Sequence, residues 1–80
     1  MSEVKKAGNN AALEFLQNIK GNKVVVKISP GIEYAGLLQA VDGFMNITLK
    51  ETKEIYDEKI IAEYGDVFIR GSLVTYISAV

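Results

Sequence analysis

The sequence predicts a mainly β domain: one short N-terminal helix, then five antiparallel strands strongly bent into a small, partly open barrel. Three observations carry that expectation. Val24, Val26 and Ile28 alternate with Lys23, Val25 and Lys27, the period of two of a half-buried strand. Gly36 falls inside the long run Ile32–Asp42, where a glycine marks a sharp bend or a close backbone approach. One long bent strand can serve two sheets, which is how small barrels turn corners. Turn-forming residues recur at Ser29-Pro30-Gly31, at Gly43 and at Gly71-Ser72, cutting the rest of the chain into short strands.

Residues 1–10 are small and polar and read as a flexible N-terminal tail, leaving 11–80 as a single domain. Asn9 or Asn10 fits as the N-cap of a helix over Ala11–Lys20. Leu13, Leu16 and Ile19, with Ala12 and Phe15 beside them, form one apolar stripe at helical spacing, and Gly21 ends the helix. So short a helix needs a surface to dock on, and it reads as a lid over the open end of the sheet. The first two strands follow on either side of Ser29-Pro30-Gly31, and Gly43 supplies a tight turn after the second. In the third strand Met45, Ile47 and Leu49 point to one side, Asn46 and Thr48 to the other. The charged stretch Glu51–Glu58 reads as a hairpin connection. A fourth strand runs from about Lys59 to Arg70, with an interruption allowed at Gly65-Asp66. The fifth spans Leu73–Ser78, and each strand is expected beside its sequence neighbour.

Eighty residues make one core, which buries only about 60–65% of the surface of the unfolded chain. The chain has no Cys and no His, so disulfides, thiolate zinc sites and imidazole ligands are excluded together. Ser-His and Cys-His nucleophiles are excluded with them. Acid–base chemistry by Asp and Glu is the one catalytic option left, and nothing in the sequence supports it. No enzyme activity, metal or cofactor is therefore expected. No apolar run approaches a membrane span, and Lys5-Lys6 is not followed by the apolar stretch of a signal peptide, so a soluble intracellular protein is expected. Oligomerisation is the remaining common device for stabilising so small a domain.

The last two strands point the same way. Val67, Phe68 and Ile69, and then Val74, Tyr76 and Ile77, are apolar on both faces, more than one small core needs. Their edges would also leave backbone groups unpaired unless another chain covers them. Addition of the last strand to a neighbour's fourth strand solves both problems. Such a head-to-tail contact closes into a ring rather than a dimer.

Net charge is −1, unevenly distributed: residues 51–66 hold six acids against two lysines, and residues 1–50 hold six lysines against four acids. Tight non-specific phosphate binding is thereby disfavoured, and nucleic-acid recognition would have to be local and directed at bases. Two short words offer the means, Asp42-Gly43-Phe44-Met45-Asn46 and Ile69-Arg70-Gly71. A ring (Phe44), an amide (Asn46) and a guanidinium (Arg70) together could grip one unstacked base. Arg70 is the only arginine, and arginine rather than lysine can stack as a plane. A plainer account also fits. Asp42-Gly43 and Asn46 can form a turn bonded to its own backbone, Phe44 can be a core side chain, and Arg70 can be simply solvated.

Over residues 12–78 the chain resembles the Sm and Sm-like proteins, on the Sm-F-related branch. The first family motif is matched by Gly21…Val24-Val25-Val26-Lys27…Gly31…Tyr34…Gly36-Leu37-Leu38…Asp42-Gly43-Phe44-Met45-Asn46-Ile47…Leu49. The second is matched by Tyr64-Gly65-Asp66-Val67-Phe68-Ile69-Arg70-Gly71…Val74…Tyr76-Ile77-Ser78. The resemblance implies the Sm fold and a non-catalytic RNA-binding subunit of a seven-membered ring, with the third and fifth Sm-like subunits as neighbours. It assigns stacking on a base to Phe44 and Arg70, reading of the base edge to Asn46 and close approach of the backbone to Gly71. Asp42 and Gly43 would orient that site. By resemblance the ligand is the U-rich 3′ end of RNA, in messenger RNA decay in the cytoplasm and pre-mRNA splicing in the nucleus. A homo-oligomeric Sm-like ring and a protein-binding scaffold barrel are the alternatives.

Overall fold

The computed structural model describes residues 4–6, 10–29 and 31–80, with side chains for 14–28 and 31–80. In chain order the elements are β1 (Val4–Lys6), α1 (Asn10–Asn18), β2 (Lys23–Ser29), β3 (Ile32–Val41), β4 (Ile47–Tyr56), β5 (Lys59–Tyr64), β6 (Val67–Ile69) and β7 (Tyr76–Ala79), with a 3-10 turn over Gly71–Leu73. The expected mainly β fold, a helix followed by a strongly bent antiparallel sheet, is what the chain adopts. The five expected strands are β2, β3, β4, the interrupted pair β5 and β6, and β7, with the break at Gly65-Asp66.

Helix α1 docks through Leu16, fully buried, with Phe15 and Ile19 packed partly against the same core. Burying one leucine stabilises by about 1.5–3 kcal/mol, which a nine-residue helix needs because its own hydrogen bonds do not sustain it. The Gly21 N–H donates to the Leu38 carbonyl at 2.7 Å and the Leu38 N–H to the Asn22 carbonyl at 2.9 Å, fastening the end of the helical segment to β3. The remaining core is Val24 and Val26 of β2, Leu38 of β3, Ile47 and Leu49 of β4, and Ile77 of β7, all essentially fully buried. Ile47 and Leu49 share the inner face of β4 as their alternation predicts, whereas Met45, expected in the same strand, is buried from the loop before it. Leu13 and Pro30, both named in the sequence reading, lie outside the described side chains.

The bend is built by two strands acting together. The β3–β4 register slips between Ala35 and Leu37, where Lys53 and Lys50 are the opposing partners. Glu51 there takes a left-handed φ of 50°, a bulge that turns β4 sharply. Gly36 faces that bulge so closely that a Cβ on it would lie 2.7 Å from the Lys50 carbonyl oxygen and 3.2 Å from Thr52 Oγ1. The glycine is thus a close approach between two backbones.

Four expectations are corrected. The stretch Glu51–Glu58 is not a loop: Glu51–Tyr56 completes β4, and only Asp57-Glu58 turns, with φ of 51° and 64° at the two positions. Two successive positive φ values make the mirror-image turn whose twist matches a hairpin. The strand period there is masked because charged residues sit on an outer limb that carries little core. Second, β7 does not lie beside β6 in the same chain. It crosses to the free edge of β2, pairing Val26 with Ile77 and Val25 with Ser78, which extends the bent sheet on that side and leaves the barrel open between β7 and β6. Third, residues 1–10 are not wholly a tail, since Val4–Lys6 pairs with β7 and Asn10 opens α1. Unpaired backbone on β7 provides the partner. Fourth, α1 ends at Asn18, two residues before the expected Lys20.

Candidate nucleic-acid interface

Strand register brings the two short words together. Val41 pairs with Ile47 across β3–β4, and Ile47 pairs with Ile69 across β4–β6. One step further along each ladder, Asn46 stands between Asp42 on one side and Arg70 on the other. Met45 then falls opposite Gly71. Residues separated by 24 or more positions in sequence thereby converge at one end of the barrel.

The Asp42–Asn46 loop is closed by its own hydrogen bonds. Asp42 Oδ1 accepts from the Phe44 N–H at 2.8 Å and from the Asn46 N–H at 3.0 Å. Asp42 Oδ2 accepts from Asn46 Nδ2 at 3.0 Å, and the Met45 N–H donates to the Asp42 carbonyl at 3.0 Å. Gly43 was expected to supply the tight turn, but the left-handed residue is Met45, with φ 65°. That conformation costs a non-glycine residue about 1–2 kcal/mol. Burying the Met45 side chain, only 4% exposed, contributes about 1.5–3 kcal/mol and offsets the cost. Gly43 has open space around its Cβ position, so a turn glycine is not sterically demanded there.

Asn46 is fixed at both ends of its amide. Its Nδ2 donates to Asp42, and its Oδ1 accepts from the Gly71 N–H at 2.8 Å. The opposite amide orientation would set oxygen against carboxylate and nitrogen against an N–H, so the network determines which end points where. One amide N–H and one lone pair on Oδ1 are left for a ligand. Gly71 is tied into this arrangement by space as well as by its N–H. A Cβ there would collide with the Phe44 carbonyl oxygen and lie 2.8 Å from the Met45 carbonyl carbon.

Around this amide the cleft is open. Phe44 is 84% exposed, which removes the core reading of that ring. Arg70 is exposed, and no hydrogen bond or ion pair engages its guanidinium among the described residues. Phe44, Asn46, Arg70, Gly71 and Ser72 line a cleft of about 610 Å³, with Met45 and Val74 as its buried floor. That space lies within the usual range for a site that accepts a small organic group. Ser72 is the lining residue that the sequence did not single out. In sequence it is an ordinary turn residue, placed here by the Val74 N–H donating to the Gly71 carbonyl at 3.1 Å.

The Asp42 carboxylate is held below its usual range, chiefly by the hydrogen bond from the Asn46 side chain and then by the Asn46 N–H, with the Phe44 N–H adding to them. A depressed folded-state value means the support Asp42 gives the loop is complete above the unfolded carboxylate value, about 3.9. It is lost only as pH falls through the lower folded value. The Asn46 side-chain amide resonances are therefore expected to hold constant from pH 7 to about 5 and to move only below about 4. An NMR titration checks this, and a transition centred above the ordinary aspartate value would contradict the network.

Residues 14–79 match the family model described as the LSM domain. The chain is 46% identical over 78 residues to the U6 snRNA-associated Sm-like protein LSm6 of Lodderomyces elongisporus, covering 98% of each chain. It is 46% identical over 67 residues to the Sm-like protein LSM6A of Arabidopsis thaliana, covering 84% of this chain and 74% of that one. In structure it is similar to the Pyrococcus abyssii Sm protein in complex with a uridine heptamer, with a TM-score of 0.81 and 29% identity over 85% of this chain and 96% of the other. A heptameric archaeal Sm protein superposes with a TM-score of 0.77 and 33% identity, covering 84% and 97%. The chain belongs to the Sm-like, or LSM domain, family and is of the LSm6-like kind.

Proposed function

We propose that this protein is a non-catalytic, RNA-binding subunit of a seven-membered Sm-like ring, in which its cleft holds one uridine of a U-rich 3′ end. The Asn46 amide carries the reading. It is immobilised between Asp42 and Gly71, yet keeps one N–H and one lone pair facing an open cleft. That pair suits the N3–H and carbonyl edge of uracil, and the exposed Phe44 ring and Arg70 guanidinium supply planes for stacking. Gly71 and Asp42 act by holding Asn46 in place. The heptameric archaeal relative and the uridine-bound Pyrococcus protein support both the ring and the ligand. The LSm6 relatives, named for their association with U6 snRNA, support a role with small nuclear RNA, and the proposal extends this to a hetero-heptamer acting in splicing in the nucleus. In the same reading a cytoplasmic ring acts in messenger RNA decay, with the third and fifth Sm-like subunits flanking this one.

Magnitudes explain why the unit is the ring. One base stack contributes about 1–3 kcal/mol and one charge-assisted hydrogen bond about 1.5–3 kcal/mol. Immobilising the RNA costs on the order of 4–15 kcal/mol. A single subunit barely overcomes that cost. Seven clefts around one pore share it, and each further nucleotide binds almost free of it.

Asn46→Ala and Arg70→Ala in the assembled ring are expected to weaken oligouridine binding by roughly 5–150-fold, the loss of one contact of about 1–3 kcal/mol. Assembly should be unchanged, because both side chains line the cleft and neither belongs to the core. Fluorescence titration with labelled oligouridine and native mass spectrometry read the two properties separately. Unchanged affinity would sink the assignment, and rings without preference for U-tracts would favour a protein-binding scaffold instead.

A further inference from the structure

Strand β7 is paired on both of its edges within this one chain. One edge carries β2, with Val25 opposite Ser78, Val26 opposite Ile77 and Lys27 opposite Tyr76. The other carries β1, with Val4 opposite Ser78, Lys5 opposite Ile77 and Lys6 opposite Tyr76. At the far end of the sheet β6 is paired on one side only, to β4, and among the described residues no strand covers its other side. Phe68 projects from β6 with 65% of its surface exposed. A head-to-tail ring needs one subunit's β6 edge to meet the next subunit's β7 edge, and β1 already occupies that β7 edge.

We infer that β1 is an intramolecular place-holder on the assembly edge, displaced when the β6 of a second Sm-like chain adds to β7. The inference rests on the ring reading given above. Both occupants satisfy the same row of backbone groups at Tyr76–Ala79, so they exclude one another. β1 contributes three residues, Val4-Lys5-Lys6. The incoming β6 contributes Val67-Phe68-Ile69 and brings the exposed Phe68 ring to a subunit boundary. The covalent link gives β1 a high effective concentration, so it guards the edge of an unassembled subunit. The longer apolar edge of β5 and β6 replaces it once a complementary chain is present. A place-holder docked about nine-tenths of the time weakens the apparent subunit affinity about tenfold.

The test keeps the full chain. Val4→Pro together with Lys5→Pro removes two successive amide donors. Adjacent amides of a strand face opposite edges, so one of them is a donor to β7. This variant is expected to assemble at about tenfold lower concentration than the parent, read by native mass spectrometry across a dilution series. Conversely, Val4→Cys with Ser78→Cys joins directly opposed positions in a chain that has no cysteine of its own. The oxidised form is expected to remain monomeric and the reduced form to assemble. Equal assembly midpoints for parent and proline variant, or normal assembly by the oxidised variant, overturn the place-holder while leaving the ring intact. If no form assembles, alone or with Sm-like partner subunits, the ring reading fails. Hydrogen exchange at the Tyr76–Ala79 amides then decides whether β1 covers the edge: faster exchange in the proline variant supports it, and equal exchange overturns it.

Discussion

Gly71→Ala is expected to lower the melting temperature by about 10–20 °C, while Gly43→Ala leaves it within a degree or two of the parent. Both glycines sit in the short words that meet at the cleft, and their surroundings are opposite. A Cβ on Gly43 meets nothing within 4 Å, and Gly43 has no positive φ. Alanine there is tolerated or slightly favourable, since it removes freedom from the unfolded chain. A Cβ on Gly71 runs into the Phe44 carbonyl oxygen and lies 2.8 and 2.9 Å from the carbonyl carbon and oxygen of Met45. All three obstacles are backbone atoms of a loop already fixed by the Asp42 carboxylate and by the left-handed Met45. The methyl therefore cannot be absorbed by a side-chain rotation. Overpacking of this kind costs about 1–3 kcal/mol, and in a domain of this size each kcal/mol moves the midpoint by about 4–8 °C. The relaxation that does occur separates β6 from the loop and breaks the Gly71 N–H bond to Asn46 Oδ1. The variant should then bind oligouridine more weakly than its remaining folded fraction accounts for. Thermal circular dichroism at fixed protein concentration checks the first effect. A Gly71→Ala midpoint equal to that of Gly43→Ala would show that the close approach has been misread.

The same contrast explains how far the sequence could be read. Strand alternation at Val24, Val26 and Ile28 and the glycine at the bend announce a small bent barrel, because burial on one face imposes a period of two. The outer half of β4 was illegible for the converse reason. At Lys50–Glu54 four of the five residues are charged and only Thr52 is buried, so the strand shows no apolar alternation. The crossing of β7 to β2 was illegible too, because pairing choice depends on which edge the bent sheet brings near rather than on any local signal. At the site, the identities of Asp42, Phe44, Asn46 and Arg70 could be read as a possible base grip. Their division of labour could not. Gly43 looked like the conformational hinge and Gly71 like a ligand contact. In the structure Met45 takes the left-handed turn, and Gly71 abuts the loop and clamps the Asn46 amide. Chain distance hid this: the clamp spans 25 residues and exists only once β4 and β6 are in register.

Asn46→Asp should weaken oligouridine binding more than Asn46→Ala at pH 7, and only the aspartate variant should recover as the pH is lowered. The substitution preserves shape and replaces one NH₂ by an oxygen. Where Nδ2 now donates to Asp42 Oδ2 at 3.0 Å, two carboxylates would face each other. Two like charges at that separation cannot both remain ionised without cost, so the pair titrates with one value raised. At pH 7 the repulsion turns the new side chain away from Asp42. On the proposed function, the donor offered to the base is gone, and the added negative charge opposes the RNA backbone. Loss of one neutral hydrogen bond, about 0.5–1.5 kcal/mol, corresponds to roughly 2–13-fold per cleft, and the added charge deepens the loss. In a homo-oligomer the loss recurs in every subunit. As the pH falls toward about 5 and below, a proton returns to the pair and the neutral carboxyl again donates to Asp42; its single O–H leaves no donor for the base, so the recovery is partial. The parent behaves oppositely, because its Asp42 value is depressed: affinity holds through that window and declines only below the ordinary carboxylate range. Asn46→Ala has nothing to protonate and should stay flat. Titrations of the three assembled proteins against labelled oligouridine between pH 7 and 5 therefore give slopes that differ in kind. Equal, pH-independent losses for alanine and aspartate would mean that the Asp42–Asn46 bond does not set the geometry of the cleft.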